Sequence, residues 1–153
     1  METEYSRVPD ELFGEFLERM PQICVELVVE TDAGVLLCKR ETKPRVWFWP
    51  GSRLYKGEQL DTAANRVAAD ELGIAVRLQE QLGVHSHFWD DTETPEGVSR
   101  HTVNVVYRAV PDGEFEIELD DQHSEFRFLT EPEPGLHEYV REYLDTYDLL
   151  EGA

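Results

Sequence analysis

Carboxylates crowd the segment 50–74, PGSRLYKGEQLDTAANRVAADELGI, where Glu58, Asp61, Asp70 and Glu71 stand among Arg53 and Arg66. If its second half is helical, an advance of about 100° per residue puts Val67, Asp70 and Glu71 on one side. Carboxylates there, with backbone carbonyls of the loop before them, offer the oxygen ligands that a hard divalent cation takes. Such a cation neutralises a diphosphate and stabilises the charge that collects on it as it departs. Arg66 and Asp70, spaced i and i+4, are also placed to pair on the helix surface, and a plainly solvated acidic helix is the other reading. His85 and His87 lie two apart on one strand face, a spacing that leaves a zinc site without a third ligand. His123 sits in an acidic loop, LDDQHSE, and by itself reads as a solvated turn residue. Arg40, next to Lys39 at the end of an apolar run, reads by itself as a surface residue.

Elements must hold these groups, and the hydrophobic pattern lays them out. Residues 9–20, PDELFGEFLERM, open on Pro9 and Asp10 and carry Leu12, Phe13, Phe16 and Leu17 at helical spacing. Residues 22–30, QICVELVVE, predict a strand, and Gly34 turns the chain into a second over 35–40, so the pair predicts a hairpin. A loop containing Pro and Trp leads to a helix over 59–72. Its Leu60, Ala63, Ala64, Val67, Ala68 and Leu72 form one broad apolar face, and Gly73 stops it. Strands are predicted over 74–81, 84–89, 101–110 and 125–129, with turns at 90–97 and at Pro111-Asp112-Gly113. A helix over 138–150 closes the chain. This order predicts one α+β domain over 1–153, an α/β/α sandwich with a mixed β-sheet.

The chain has 153 residues, with 14 Lys+Arg against 33 Asp+Glu and a formal net charge of −19. That charge repels a polyanion, which excludes nucleic acid as a default partner. No run approaches the roughly 20 apolar residues of a membrane span. The start, METEYSRVPDELF, lacks the basic and apolar stretches of a signal peptide, so a cytoplasmic location is expected. Cys24 and Cys38 lie in apolar runs and are expected to be buried free thiols. Acid excess spread along the whole chain, with lysine only at 39, 43 and 56, predicts a salt-adapted, halophilic source. A self-repelling surface is relieved where the Debye length falls to about 3 Å at 1 M salt.

Residues 52–74 resemble the Nudix box, G-x5-E-x7-R-E-U-x-E-E-x-G-U, with U aliphatic. Ser52 takes the place of the first Gly, Glu58 of the first Glu, and Arg66 of the Arg. Val67 replaces the Glu after it, Asp70-Glu71 is the acidic pair, and Gly73-Ile74 closes the box. A narrower likeness is to the GDP-mannose mannosyl hydrolase subfamily, whose members also lack the Glu at the Val67 position. CKR at 38–40 with Pro44 and WFWPGSR at 47–53 resembles its GKR…P…WFVPGGR. HFWDD at 87–91 resembles its HFYDD, and DDQHSEFRFLT at 120–130 its DEQHDDYRWLT.

The resemblance implies a Nudix-like α/β/α sandwich and an Mg²⁺-dependent enzyme, with Mn²⁺ an alternative ion. Ordinary members attack phosphorus; this subfamily attacks the anomeric carbon of a GDP-sugar and releases intact GDP. By likeness, the metal ligands are the Gly51 carbonyl, Glu71 and Gln122, and the general base is His123. Arg40, Arg53 and Arg66 are implied to bind the departing diphosphate, where planar guanidinium forks suit phosphate oxygens. Arg40 and Arg53 thereby share the catalytic role with His123. Glu26 takes the place of an Asp near the nucleotide and His87 that of an active-site His, while Thr102 replaces a phosphate-contacting Tyr. The subfamily forms homodimers, and Phe13, Phe16 and Leu17 are apolar residues available for that contact. Phosphorus attack on another nucleotide derivative, and a silent nucleotide-sugar binding module, remain the competing readings.

Overall fold

The computed structural model describes residues 1–3 and 8–150; residues 4–7 and 151–153 of the expected domain lie outside the described residues. In chain order the elements are α1 (Asp10–Arg19), β1 (Gln22–Thr31), β2 (Gly34–Arg40), β3 (Trp47–Phe48), β4 (Gly51–Arg53) and α2 (Leu60–Val67). A π-helical turn (Ala68–Leu72), β5 (Val76–Trp89), β6 (Arg100–Pro111), β7 (His123–Leu129) and α3 (Glu138–Thr146) follow. Strands join in the order β3-β2-β1-β6-β5, with β4 added to β1 and β7 to β2. β1 and β6 run parallel while the other pairs are antiparallel, so the sheet is mixed as expected.

Alternation along the strands divides the interior into two layers. Val25, Leu27 and Val29 of β1, with Leu36 and Cys38 of β2, pack against Ala63, Ala64, Val67 and Leu72. Val28, Val35 and Leu37 turn the other way, onto Val140, Tyr143 and Leu144 of α3. Both layers are apolar, which gives the predicted α/β/α sandwich.

Four elements differ from the sequence expectation. The β1–β2 hairpin pairs only at Glu30↔Val35 and Thr31↔Gly34. Nearer its start β1 pairs with β4, from Cys24↔Arg53 to Glu26↔Gly51, and the Leu27 N–H donates to the Pro50 carbonyl at 2.9 Å. β2 therefore swings away to pair with β7, and the sheet forks. The strands expected over 74–81 and 84–89 are one strand, because two register shifts absorb the break in alternation. The helix expected over 59–72 loosens into the π turn at Ala68. Its consequence is specific: Glu71 is buried while the Asp70 side chain is 65% exposed, so the two carboxylates do not share a side. The last helix stops at Thr146, and Asp148 and Leu150 take positive φ beyond it.

α1 buries Leu17, turns Phe13 toward the cavity described below and leaves Leu12 and Phe16 exposed. Cys38 is buried and Cys24 half-buried; both thiols are free, and burial pushes each up to about 12. No helix among the described residues is long and apolar enough to cross a membrane.

Candidate active site

The fork in the sheet opens a cavity of about 220 Å³ on the α3 side. Period-two alternation supplies its floor: Gln22, Cys24 and Glu26 from β1 beside Arg100, Thr102 and Asn104 from β6. Arg40, Lys43 and Arg53 bring positive charge to its wall. Phe48, Trp49 and Trp89 bring aromatic surface, with the Phe48 and Trp89 ring centroids 5.6 Å apart. Such rings suit a flat heterocycle, while the guanidiniums suit phosphate.

Gly51 lies at the junction between this cavity and the acidic turn. A Cβ there would come within 2.8 Å of Glu26 Cγ, so the close approach of β4 to β1 needs glycine. Its N–H donates to Glu71 Oε1 at 3.3 Å. The π turn positions that carboxylate, and its terminal carbonyls recruit the next segment. The Asp120 N–H donates to the Glu71 carbonyl at 3.3 Å and the Glu118 N–H to the Leu72 carbonyl at 2.9 Å. Through these bonds the 118–123 loop delivers two more polar groups. His123 Nδ1–H donates to Asp120 Oδ1 at 2.7 Å, and His123 Nε2 lies 3.7 Å from Glu71 Oε1.

One ligand atom from each of Glu71, Asp120 and His123 falls within 4.8 Å of the other two. Burial, and then the charge of Asp120, push the Glu71 acid up to about 8. Two facing carboxylates, one of them buried, are stabilised by a cation, and this oxygen-rich donor set fits a divalent one. Gln122, implied as a ligand, is exposed instead; its backbone carbonyl accepts from the Glu41 N–H at 2.8 Å. Asp120 occupies the inward position of that loop.

Arg66 is not brought to the cavity. Its Nε donates to Glu58 Oε2 at 2.7 Å, and its NH2 group donates to Glu58 Oε1 at 3.0 Å and to the Arg53 carbonyl at 2.9 Å. Ser52 Oγ accepts at 3.1 Å, and the Tyr55 ring lies beneath the guanidinium at 4.1 Å. Arg66 therefore fastens the loop that presents Gly51 and Arg53. Burial opposes the Glu58 charge, but the Arg66 bonds outweigh it and hold the carboxyl below the usual range. Val67 is fully buried in the α2 layer, so the glutamate of the box motif would be an unpaired charge there.

Glu26 and His87 meet on the cavity's inner side. The Tyr143 hydroxyl donates to Glu26 Oε1 at 2.5 Å and lies 3.3 Å from His87 Nε2, while His87 stacks on Tyr139 at 3.8 Å. Burial pushes the Glu26 acid up to about 7 and holds His87 down at about 4. A raised carboxyl adds stability below its unfolded value of 4.5 and loses it as pH rises through 7. Glu26→Gln keeps an acceptor for Tyr143 and removes the charge. Urea unfolding should show the variant no more stable than the parent near pH 4.5 and ahead by about 3 kcal/mol above pH 7. A constant difference across that window would show that Glu26 is not held against its charge.

The NUDIX domain model matches residues 20–149. The chain belongs to the Nudix family. Among its relatives, the low-salt glycan biosynthesis protein Agl8 of Haloferax volcanii is 37% identical over 146 residues, 94% of this chain and 92% of that protein. An ADP-ribose pyrophosphatase of Methanocaldococcus jannaschii is 28% identical over 109 residues, 69% of this chain and 61% of that one. The solved MutT Nudix hydrolase of Burkholderia pseudomallei is 29% identical with a TM-score of 0.66, covering 84% of this chain and 98% of its own. A MutT protein from Methanosarcina mazei Go1, 19% identical, shares the fold with a TM-score of 0.69 over 85% of this chain and 95% of its own.

As a Nudix hydrolase the protein acts on a nucleotide-derived substrate, and Glu71 and Asp120 are the carboxylates that, with His123, lie close enough together to hold a cation. Sequence reasoning missed Asp120, whose i, i+3 spacing to His123 is a readable signal. It also missed Arg100, whose period-two alternation with Thr102 and Asn104 places it on the cavity face.

Proposed function

We propose that this Nudix hydrolase cleaves a GDP-sugar, GDP-mannose or GDP-glucose, at the anomeric carbon, giving GDP and free hexose with a divalent cation, Mg²⁺ or Mn²⁺. The observation that carries the reading is the junction at Gly51. An arginine- and aromatic-lined cavity there adjoins a Glu71–Asp120–His123 cluster whose Glu71 is buried and whose other two members are half-buried. In this scheme Arg40 and Arg53 orient the diphosphate, with Arg53 braced by Phe13 and Tyr55 at 5.4 and 5.0 Å. Donation from Nδ1 to Asp120 leaves His123 Nε2 with its lone pair, ready to take a proton from the attacking water. Glu71, Asp120 and the Gly51 backbone would hold the cation, which supplies charge stabilisation for the departing diphosphate. With Val67 buried, the box helix turns Glu71 inward while Asp61 and Asp70 face solvent, so Glu71 is the box carboxylate available to the cation.

Product identification tests this. GDP plus hexose, with solvent ¹⁸O in the sugar, is expected; GMP plus sugar phosphate would instead establish phosphorus attack, and no turnover a binding module. His123→Gln should lower kcat by about 10²–10⁴ and leave GDP affinity unchanged. An unaltered kcat removes His123 from the base role.

We also infer that the chain is salt-adapted, acts in the cytoplasm and works as a homodimer, with the exposed Phe16 of α1 as one contact. A net charge of −19 makes molar KCl stabilising through screening. Thermal midpoints should rise with KCl concentration, and midpoints independent of salt would overturn the inference.

A further inference from the structure

The cavity holds a cation that the scheme above leaves without a role. Arg100 begins β6 on the face it shares with Thr102 and Asn104 and lines the cavity with Arg40. Among the described residues Arg40 has only long hydrogen-bond partners, Thr42 Oγ1 at 3.5 Å and the Lys43 carbonyl at 3.4 Å. Nε of both arginines is buried without a hydrogen-bond partner among the described residues, an arrangement that buried donors tolerate poorly. The two guanidiniums also act on each other. Burial, and then the charge of Arg100, hold Arg40 below its ordinary value, and Cys24 feels both arginines together with Arg53. Like charges converging on one cavity are stabilised when an anion lies between them. Meanwhile the counter-ion of Arg100 is Glu96, at 2.6 Å on the β5–β6 loop, whose Glu93, Thr94 and Pro95 form part of the cavity wall.

We propose that Arg100 and Arg40 form a paired-guanidinium clamp for the substrate's diphosphate, and that Glu96 is the carboxylate Arg100 gives up as the diphosphate enters. The clamp rests on the nucleotide-sugar reading and adds to it a phosphate-binding residue and a counter-ion exchange. A guanidinium already paired to a carboxylate offers little attraction to a neutral ligand. A diphosphate carries more charge than one carboxylate and presents oxygens to both forks, so it displaces Glu96 where a nucleoside does not. No covalent bond is made or broken in the exchange; the Glu96 carboxylate passes to solvent.

Calorimetric binding of GDP and of guanosine, with Mg²⁺ at fixed KCl, separates the clamp from a merely structural salt bridge. Arg100→Gln should weaken GDP binding about 10- to 100-fold and leave guanosine binding unchanged, with Arg100→Lys recovering part of the loss. Glu96→Gln should tighten GDP binding several-fold, because the competing anion is gone. If the bridge only fastens the loop, both variants break the same contact and move GDP affinity in the same direction; that result overturns the clamp. So does GDP affinity indifferent to the charge at position 100. A parent protein that bound neither GDP nor guanosine would overturn the functional reading as well, so the two failures are distinguishable.

Discussion

Glu71→Gln is expected to lower turnover by about a thousandfold while making the metal-free protein more stable. The loss follows from the chemistry of the site: the charge stabilisation supplied by a bound cation is worth several kcal/mol in the transition state. A neutral amide holds that cation far less well than a carboxylate. The stability gain follows from burial. Glu71 is 6% exposed beside Asp120, and its acid is pushed up to about 8. A raised carboxyl gives its stabilisation below 4.5 and loses it as pH climbs through 8, so above that window the folded chain bears a charge it is poorly built to hold alone. Gln removes that cost and still accepts from the Gly51 N–H. Melting curves with Mg²⁺ and with EDTA provide the check. The parent should gain about 2.7 kcal/mol at a hundredfold excess of metal over Kd, and the variant almost nothing. A variant that kept the metal-induced shift would place the cation elsewhere.

Arg66→Ala has the largest expected effect on folding. Arg66 is 12% exposed at its side chain and its partner Glu58 is fully buried, with both guanidinium edges committed to the loop. Removing one partner of such a pair strands the other charge and costs about 3–5 kcal/mol. For a chain of this size that lowers the thermal midpoint by about 10 °C. Glu58→Gln should be nearly as costly, and the double variant less than additive. GDP affinity, measured well below the lowered midpoint, should change much less than stability. That outcome separates the structural role seen here from the diphosphate contact implied by the Nudix resemblance; a large affinity loss at unchanged stability would restore the contact.

Most of the architecture was legible because it depends on short-range regularities. Two-residue alternation in 22–30 and 101–110, the apolar face of 60–72 and the glycine at 73 each specify a local state, and together they permit few layer arrangements. Box spacing from Ser52 to Ile74 likewise identified the helix that carries Glu71, since spacing along one element survives folding unchanged. Gly51, Arg40, Arg53, Glu26 and His87, which the subfamily resemblance named, all line the cavity, each on a strand or at a strand end; Arg40 by itself reads as a surface residue.

The remainder depended on contacts between segments far apart in the chain. Counting 100° per residue put Asp70 and Glu71 on the side of Val67, and the π turn, whose carbonyls bond the 118–120 segment, kept Glu71 on that inward side and rotated Asp70 out to solvent. Asp120 displaced Gln122 from the inward position because that segment is anchored on the turn, a bond invisible in either stretch alone. Arg66 went to Glu58, eight residues back, since burial made an ion pair there more favourable than exposure to the cavity. Residue order thus settles which face of each helix or strand looks inward. How a carboxylate is turned, and which cation it meets, depends on desolvation and on partners that only the assembled layers provide.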